Sequence, residues 1–163
     1  MKHLAVIWDS TTGGSQALAL AAETGARQTG QVAVQIIAAR DAMPSDLLMA
    51  DGYIFAFPEN LAAISGVMKA FFDRSYYPCL GRIEGRAYAA IICAGSDGSN
   101  AARQVARIAT GWRLRVVAEP IIVCTQAQTP EAILAPKTIA ANDIARCEEL
   151  GATIAAGLAI GMF

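Results

Sequence analysis

Apolar residues along this chain come in two rhythms. Short unbroken runs appear at Leu4-Ala5-Val6-Ile7-Trp8, Val32-Ala33-Val34-Gln35-Ile36-Ile37, Gly52–Phe57 and Tyr88–Ala94. A fifth run is split into Leu114–Val117 and Ile121–Val123 by Pro120. Such runs are too short for ordinary helices and rich in Val and Ile, which predicts strands buried on both faces. Between them lie helical stretches. Gln16 to about Thr29 is Ala-rich and closed by Gly30, Ser65 runs to about Tyr76, and Ala101–Thr110 ends at Gly111. Asp41–Ala50 predicts a loop with a short helix capped by Ser45-Asp46, and Thr129-Pro130-Glu131 starts another by the cap-then-proline signal. That run ends near Lys137, and a last helix extends from there to Gly157 or beyond. Pro58–Ala63, Arg82–Arg86 and Gly95–Asn100 are expected to be loops.

Strands alternating with helices predict an α/β fold: a doubly wound, five-stranded parallel sheet with helices on both faces, one domain over residues 1–163. The expected strand order is 2-1-3-4-5. It brings the loops after strands one, three and four onto one crevice at the topological switch point.

One turn in this scheme carries most of the chemistry. Ser10-Thr11-Thr12-Gly13-Gly14-Ser15 joins the first strand to the first helix. A strand, a hydroxyl- and glycine-rich turn and a helix N-terminus make an anion cradle, with amides pointing inward and the helix dipole favouring negative charge. The turn lacks Gly-x-Gly-x-x-Gly and any Lys-Ser/Thr closure, so the two commonest nucleotide fingerprints are absent. A phosphomonoester such as the tail of flavin mononucleotide (FMN) fits it without a lysine or arginine. The plainer alternative is a capped turn with Ser15 as N-cap.

Two further loops face the same crevice. In Pro58-Glu59-Asn60-Leu61, Asn60 and the backbone can bond the polar edge of a flat heterocycle. Glu59 is expected to point outward or pair with Arg40 or Arg74; a carboxylate beside a reduced anionic flavin would lower its potential. In Ala94-Gly95-Ser96-Asp97 the amides and Ser96 can meet the pyrimidine end of the ring, while Asp97 can bind a sugar hydroxyl or cap the helix at Asn100. Hydride transfer to a flavin requires no acid–base residue, so the ring would be the reactive centre and no catalytic side chain is assigned. Tyr76 and Tyr77 are candidates to line the open ring face, from this chain or a neighbouring one.

Charge and cysteines narrow the alternatives. Thirteen basic and 14 acidic residues give a net charge of −1, which leaves no basic field for nucleic acid and no marked field to steer a redox partner. With one histidine, His3, and cysteines at 79, 93, 124 and 147 outside Cys-x-x-Cys spacing, no metal site is expected. Cys93 and Cys124 read as core, Cys79 as an exposed loop residue, and both Trp8 and Trp112 as packed. No targeting or membrane-spanning segment is evident, so the expected location is cytoplasmic. The apolar C-terminus and the Ser65–Tyr77 helix are expected contact surfaces of a homodimer or homotetramer.

These residues resemble the flavodoxin-like NAD(P)H-dependent FMN reductases, including the multimeric flavodoxin-like quinone reductases. The likeness rests on the Ser10–Ser15 loop, on Pro58-Glu59-Asn60-Leu61 followed by Ser65-Gly66-Val67-Met68-Lys69-Ala70-Phe71-Phe72-Asp73-Arg74, and on Ala94-Gly95-Ser96. It implies a flavodoxin-like fold, FMN as cofactor, NADPH or NADH as donor and a quinone-like or other aromatic small molecule as acceptor. Asn60 departs from the bulky residue usual in that loop, and no Trp or Tyr lies in Pro58–Ala63 or Ala94–Asn100 to sandwich a ring. An electron carrier of the flavodoxin type, and a flavodoxin-fold protein that has lost its cofactor, are the competing expectations.

Overall fold

The structure is a computed structural model that describes all 163 residues. In chain order its elements are β1 His3–Trp8, α1 Gly14–Gln28, β2 Ala33–Ala38, α2 Pro44–Met49, β3 Gly52–Asn60, β4 Ala63–Ile64 and α3 Gly66–Cys79. They continue with β5 Ala87–Ala94, α4 Ser99–Gly111, β6 Arg115–Val116, β7 Ile121–Cys124, α5 Pro130–Leu134 and α6 Ala141–Ala159. The parallel sheet runs β2-β1-β3-β5, with β6 and β7 both pairing with β5 as two halves of one edge strand. The register passes from Tyr88↔Val116 to Ile91↔Ile121, so residues 117–120 bulge out at Pro120, which has no N–H to give the ladder. This is the doubly wound 2-1-3-4-5 topology of flavodoxin-like folds.

The two faces of the sheet are packed differently. Tyr53, Phe55 and Phe57 of β3 point toward α2, α3 and α4, where they join Phe71, Phe72 and Trp112. Ile54 and Ala56 point the other way, into a face built from Leu18 and four alanines of α1 and from Cys147, Leu150, Ile154, Ala155 and Leu158 of α6. Small residues let these two helices touch backbone to backbone. A Cβ on Gly25 would sit 1.9 Å from the Glu148 carbonyl, and one on Gly151 would sit 1.9 Å from the Ala22 carbonyl.

Several local expectations are corrected. Pro58–Ala63 is not an open loop: β3 continues to Asn60 and turns back into β4, pairing Glu59↔Ile64 and Asn60↔Ala63. Leu61 and Ala62 form the two-residue turn with φ of 50° and 59°, left-handed values that cost a non-glycine residue about 1–2 kcal/mol each. Cys79 is buried at the end of α3, with its thiol against the Pro44 carbonyl, and is not exposed in a loop. Trp112 is core, but Trp8 is only half-buried. Tyr76 stacks on Trp112 at 5.6 Å between centroids, near the end of α3 remote from the crevice, so within one chain neither Tyr76 nor Tyr77 lines the site. No helix is long and apolar enough to cross a membrane.

Candidate functional site

The crevice lies where β1, β3 and β5 end. At its floor the chain leaves β1 and turns at Gly13, whose φ of 90° requires the left-handed region. Gly14 then opens α1 against β5: a Cβ there would meet the Cys93 sulfur at 2.7 Å, so only glycine lets the turn sit this close. Gly13, and not Ser15, is the N-cap. The Ser10 hydroxyl accepts the Gly13 amide at 3.0 Å, which removes that amide from the cradle. The amides of Ser10, Thr11, Thr12, Gly14 and Ser15 donate to nothing in the chain. Ser15 supplies the sharpest feature. Its side chain is 1% exposed and its hydroxyl has no hydrogen-bond partner. An orphaned buried hydroxyl costs about 1–3 kcal/mol, and here it lines a cavity of about 170 Å³ with Ser10, Thr11, Thr12, Gly14 and Asn60.

Asp9, just before the turn, accepts the Ser65 hydroxyl at 2.6 Å. That bond ties the end of β1 to the start of α3, so the floor of the crevice is fixed from both sides.

The hairpin forms one wall and the loop after β5 the other, and Glu59 joins them. Its carboxylate accepts the Gly98 amide at 3.0 Å and the Ala101 amide at 3.2 Å. Glu59 therefore caps α4 across the crevice; it neither points outward nor pairs with Arg40 or Arg74. Arg40 lies against Asp41, and Arg74 donates to the Ala39 and Ala42 carbonyls. Two more bonds strap the hairpin to α4, from the Asn100 side-chain amide to the Ala62 carbonyl and from the Ile64 amide to Gln104 at 2.8 Å. Asp97 accepts the Ser99 amide and hydroxyl, closing the turn into α4. The amides of Gly95, Ser96 and Asp97 stay without partners in the chain.

Sequence reasoning missed a fourth contributor. After β7 the chain crosses back over the first loop, and the Lys137 amide donates to the Thr12 carbonyl at 2.8 Å. Ile133, Leu134 and Lys137 thereby line the cavities above the Ser10–Ser15 turn. Cys93 lies beneath them. Burial pushes its thiol above the ordinary range, against the opposing influence of the Lys137 charge. No group of three His, Cys, Asp or Glu side chains could hold a metal ion.

Comparison with known proteins matches this architecture. The sequence profile of the family "NADPH-dependent FMN reductase" matches residues 38–129, more than half of the chain, a range that starts after the first loop. A flavodoxin of Aquifex aeolicus is 32% identical over 98 residues, which are 60% of this chain and 53% of that protein; the chain thus spans about half the length of this curated relative. Among solved structures, a flavodoxin from the domain Archaea superposes with a TM-score of 0.75 at 21% identity, covering 96% of this chain and 98% of that one. A WrbA-like flavodoxin from Agrobacterium tumefaciens gives 0.70 at 18%, covering 99% of both. Rubredoxin:oxygen oxidoreductase from Desulfovibrio gigas gives 0.78 at 14%, covering 99% of this chain but 37% of that one. At these identities the structural matches speak for the fold, and the profile match speaks for the family. The chain belongs to the NADPH-dependent FMN reductase family and has a flavodoxin-like fold.

Proposed function

We propose that the protein is an FMN-dependent oxidoreductase, with NADPH or NADH as hydride donor and a quinone-like or other aromatic small molecule as acceptor. The observation that carries this reading is the buried, unpartnered Ser15 hydroxyl at the end of a turn with five free amides. A phosphate dianion there would satisfy the hydroxyl and the amides together, each charge-assisted bond contributing about 1.5–3 kcal/mol. Ser10, Thr11, Thr12, Gly13, Gly14 and Ser15 would hold the phosphate. A cavity of about 170 Å³ accepts a phosphate and its neighbouring chain, while a three-ring heterocycle belongs at the open mouth between Pro58-Glu59-Asn60-Leu61 and Ala94-Gly95-Ser96-Asp97. There the free amides of Gly95, Ser96 and Asp97 would orient its polar edge. When bound, FMN supplies the hydride chemistry; the chain's part is to bind, orient and leave one ring face accessible.

Rapid mixing of FMN-loaded protein with NADPH and with NADH, followed by flavin absorbance, tests the enzyme directly. Reduction well above the rate of free FMN with one donor is expected; free-solution rates with both would end this reading. The flavodoxin-type electron carrier is the second reading, favoured by the likeness to the Aquifex flavodoxin. It predicts that flavin is retained but is reduced only when a separate reductase is added.

A further inference from the structure

The Ser10–Ser15 turn contains no basic residue, yet the fold delivers one to it from more than 120 positions away. Lys137 is the one cation lining the cavity that runs from Thr12 to Glu59, which shares Thr12, Asn60 and Cys93 with the cavity over Ser10–Ser15. Its backbone is pinned there by the bond from its amide to the Thr12 carbonyl. Its side chain packs on the first residue of α1: the Lys137 Cβ and Cγ lie 3.4 and 3.5 Å from where a Gly14 Cβ would be. The ammonium donates to the carbonyls of Ala132, Ile133 and Ala135 at 2.8, 2.8 and 2.6 Å. These are neutral oxygens, and no carboxylate pairs with the lysine. Glu59, the acid in the same space, is held by the Gly98 and Ala101 amides instead. A full positive charge is thus kept beside the cradle and left uncompensated.

We propose that Lys137 is a binding residue for the phosphate group of the cofactor, its ammonium supplying the charge that the turn itself lacks. The inference rests on the reading of the first loop as a phosphate site. The strap from Thr129 to Lys137 is the device that carries the charge there, and its three carbonyls hold the ammonium poised against a flexible four-carbon stem.

The test compares FMN with riboflavin, which has the same ring and no phosphate. Dissociation constants for both are measured on the full chain by fluorescence titration, for the unaltered protein and for Lys137→Met and Lys137→Arg. The expected result is a loss of FMN affinity of about tenfold or more in Lys137→Met, with riboflavin unchanged and FMN binding largely kept in Lys137→Arg. Equal losses for the two ligands, or no loss for either, would make Lys137 a structural cap of α5 and overturn the proposal. A second measurement needs no variant: the preference of the unaltered protein for FMN over riboflavin should narrow between 0.05 and 0.5 M salt. A preference indifferent to salt contradicts the charge assigned here. An unaltered protein that retains neither flavin would instead overturn the phosphate reading of the first loop, and this inference with it.

Discussion

Glu59 shows how one side chain sets both shape and electrostatics in this site. It gives α4 the carboxylate that a helix N-terminus favours, and in doing so it fastens the hairpin wall to the opposite loop. Glu59→Gln keeps one acceptor oxygen but removes the charge and one of the two bonds. We expect a loss of about 1 kcal/mol in urea unfolding. We also expect a more positive flavin potential, by roughly 20 mV for each kcal/mol of repulsion relieved in the two-electron couple. Spectroelectrochemistry would read the second effect, and an unchanged or more negative potential would place the carboxylate too far from the ring to matter. Thr12 is simpler. It lines the cavity over the turn, so Thr12→Ala should weaken FMN by about 1–3 kcal/mol, and an unchanged dissociation constant would move the phosphate elsewhere.

At the scale of elements, the α1–α6 crossing is the most exacting contact. Gly25 and Gly151 each face a carbonyl of the other helix with no room for a methyl group. Gly25→Ala or Gly151→Ala should destabilise by about 1–3 kcal/mol or more through forced separation of the helices. Gly66→Ala, where nothing lies within 4 Å, is the control. Denaturant midpoints would check both, and equal midpoints would mean the crossing relaxes freely. The same elements show what sequence can and cannot reveal. The strands were legible because Val, Ile and aromatic runs leave few alternatives, and the first turn because two glycines among hydroxyls have a local geometric purpose. The hairpin was not legible, since Leu61-Ala62 has none of the Asn-Gly chemistry that marks a two-residue turn. Its conformation is imposed from outside, by Glu59, Asn100 and Gln104 binding across 38–42 positions. Lys137 was missed for a related reason: only the path of the strap brings it to Thr12.

The whole molecule should be sensitive to alkali. Burial pushes the Cys147 thiol of α6 from its ordinary value of 9.0 up to about 12. Burial likewise raises the Tyr53 phenol of β3 from 10.0 to about 12, against the Arg86 guanidinium that favours its ionised form. Both groups are neutral in the fold and ionise more easily once unfolded. Their contribution is therefore complete below pH 9 and declines as pH rises toward 12, by about 4 kcal/mol for the thiol and about 3 kcal/mol for the phenol. Burial also raises the thiols of Cys79, Cys93 and Cys124, so Cys147→Ala should make the decline that begins near pH 9 shallower and leave the one that begins near pH 10. Urea midpoints followed by circular dichroism across pH 7–11 would show this; a variant whose midpoint falls as steeply as that of the unaltered protein would locate the sensitivity elsewhere. On the acid side, burial opposes the charge of Asp51, but Lys2, the His3 amide and Arg86 outweigh it and hold the carboxyl below its ordinary value. Its contribution is present above that value and is lost as pH falls through the lowered one.

The account depends on one anion sitting at the amino end of α1, and the phosphorus resonance of FMN reports on it without interference from the ring. Free FMN has a phosphate that titrates near pH 6. With one equivalent of protein we predict a separate, shifted 31P resonance whose position stays constant from pH 5 to 8, because amides and hydroxyls hold the group as a dianion. A single resonance that titrates as it does in free FMN would contradict the account.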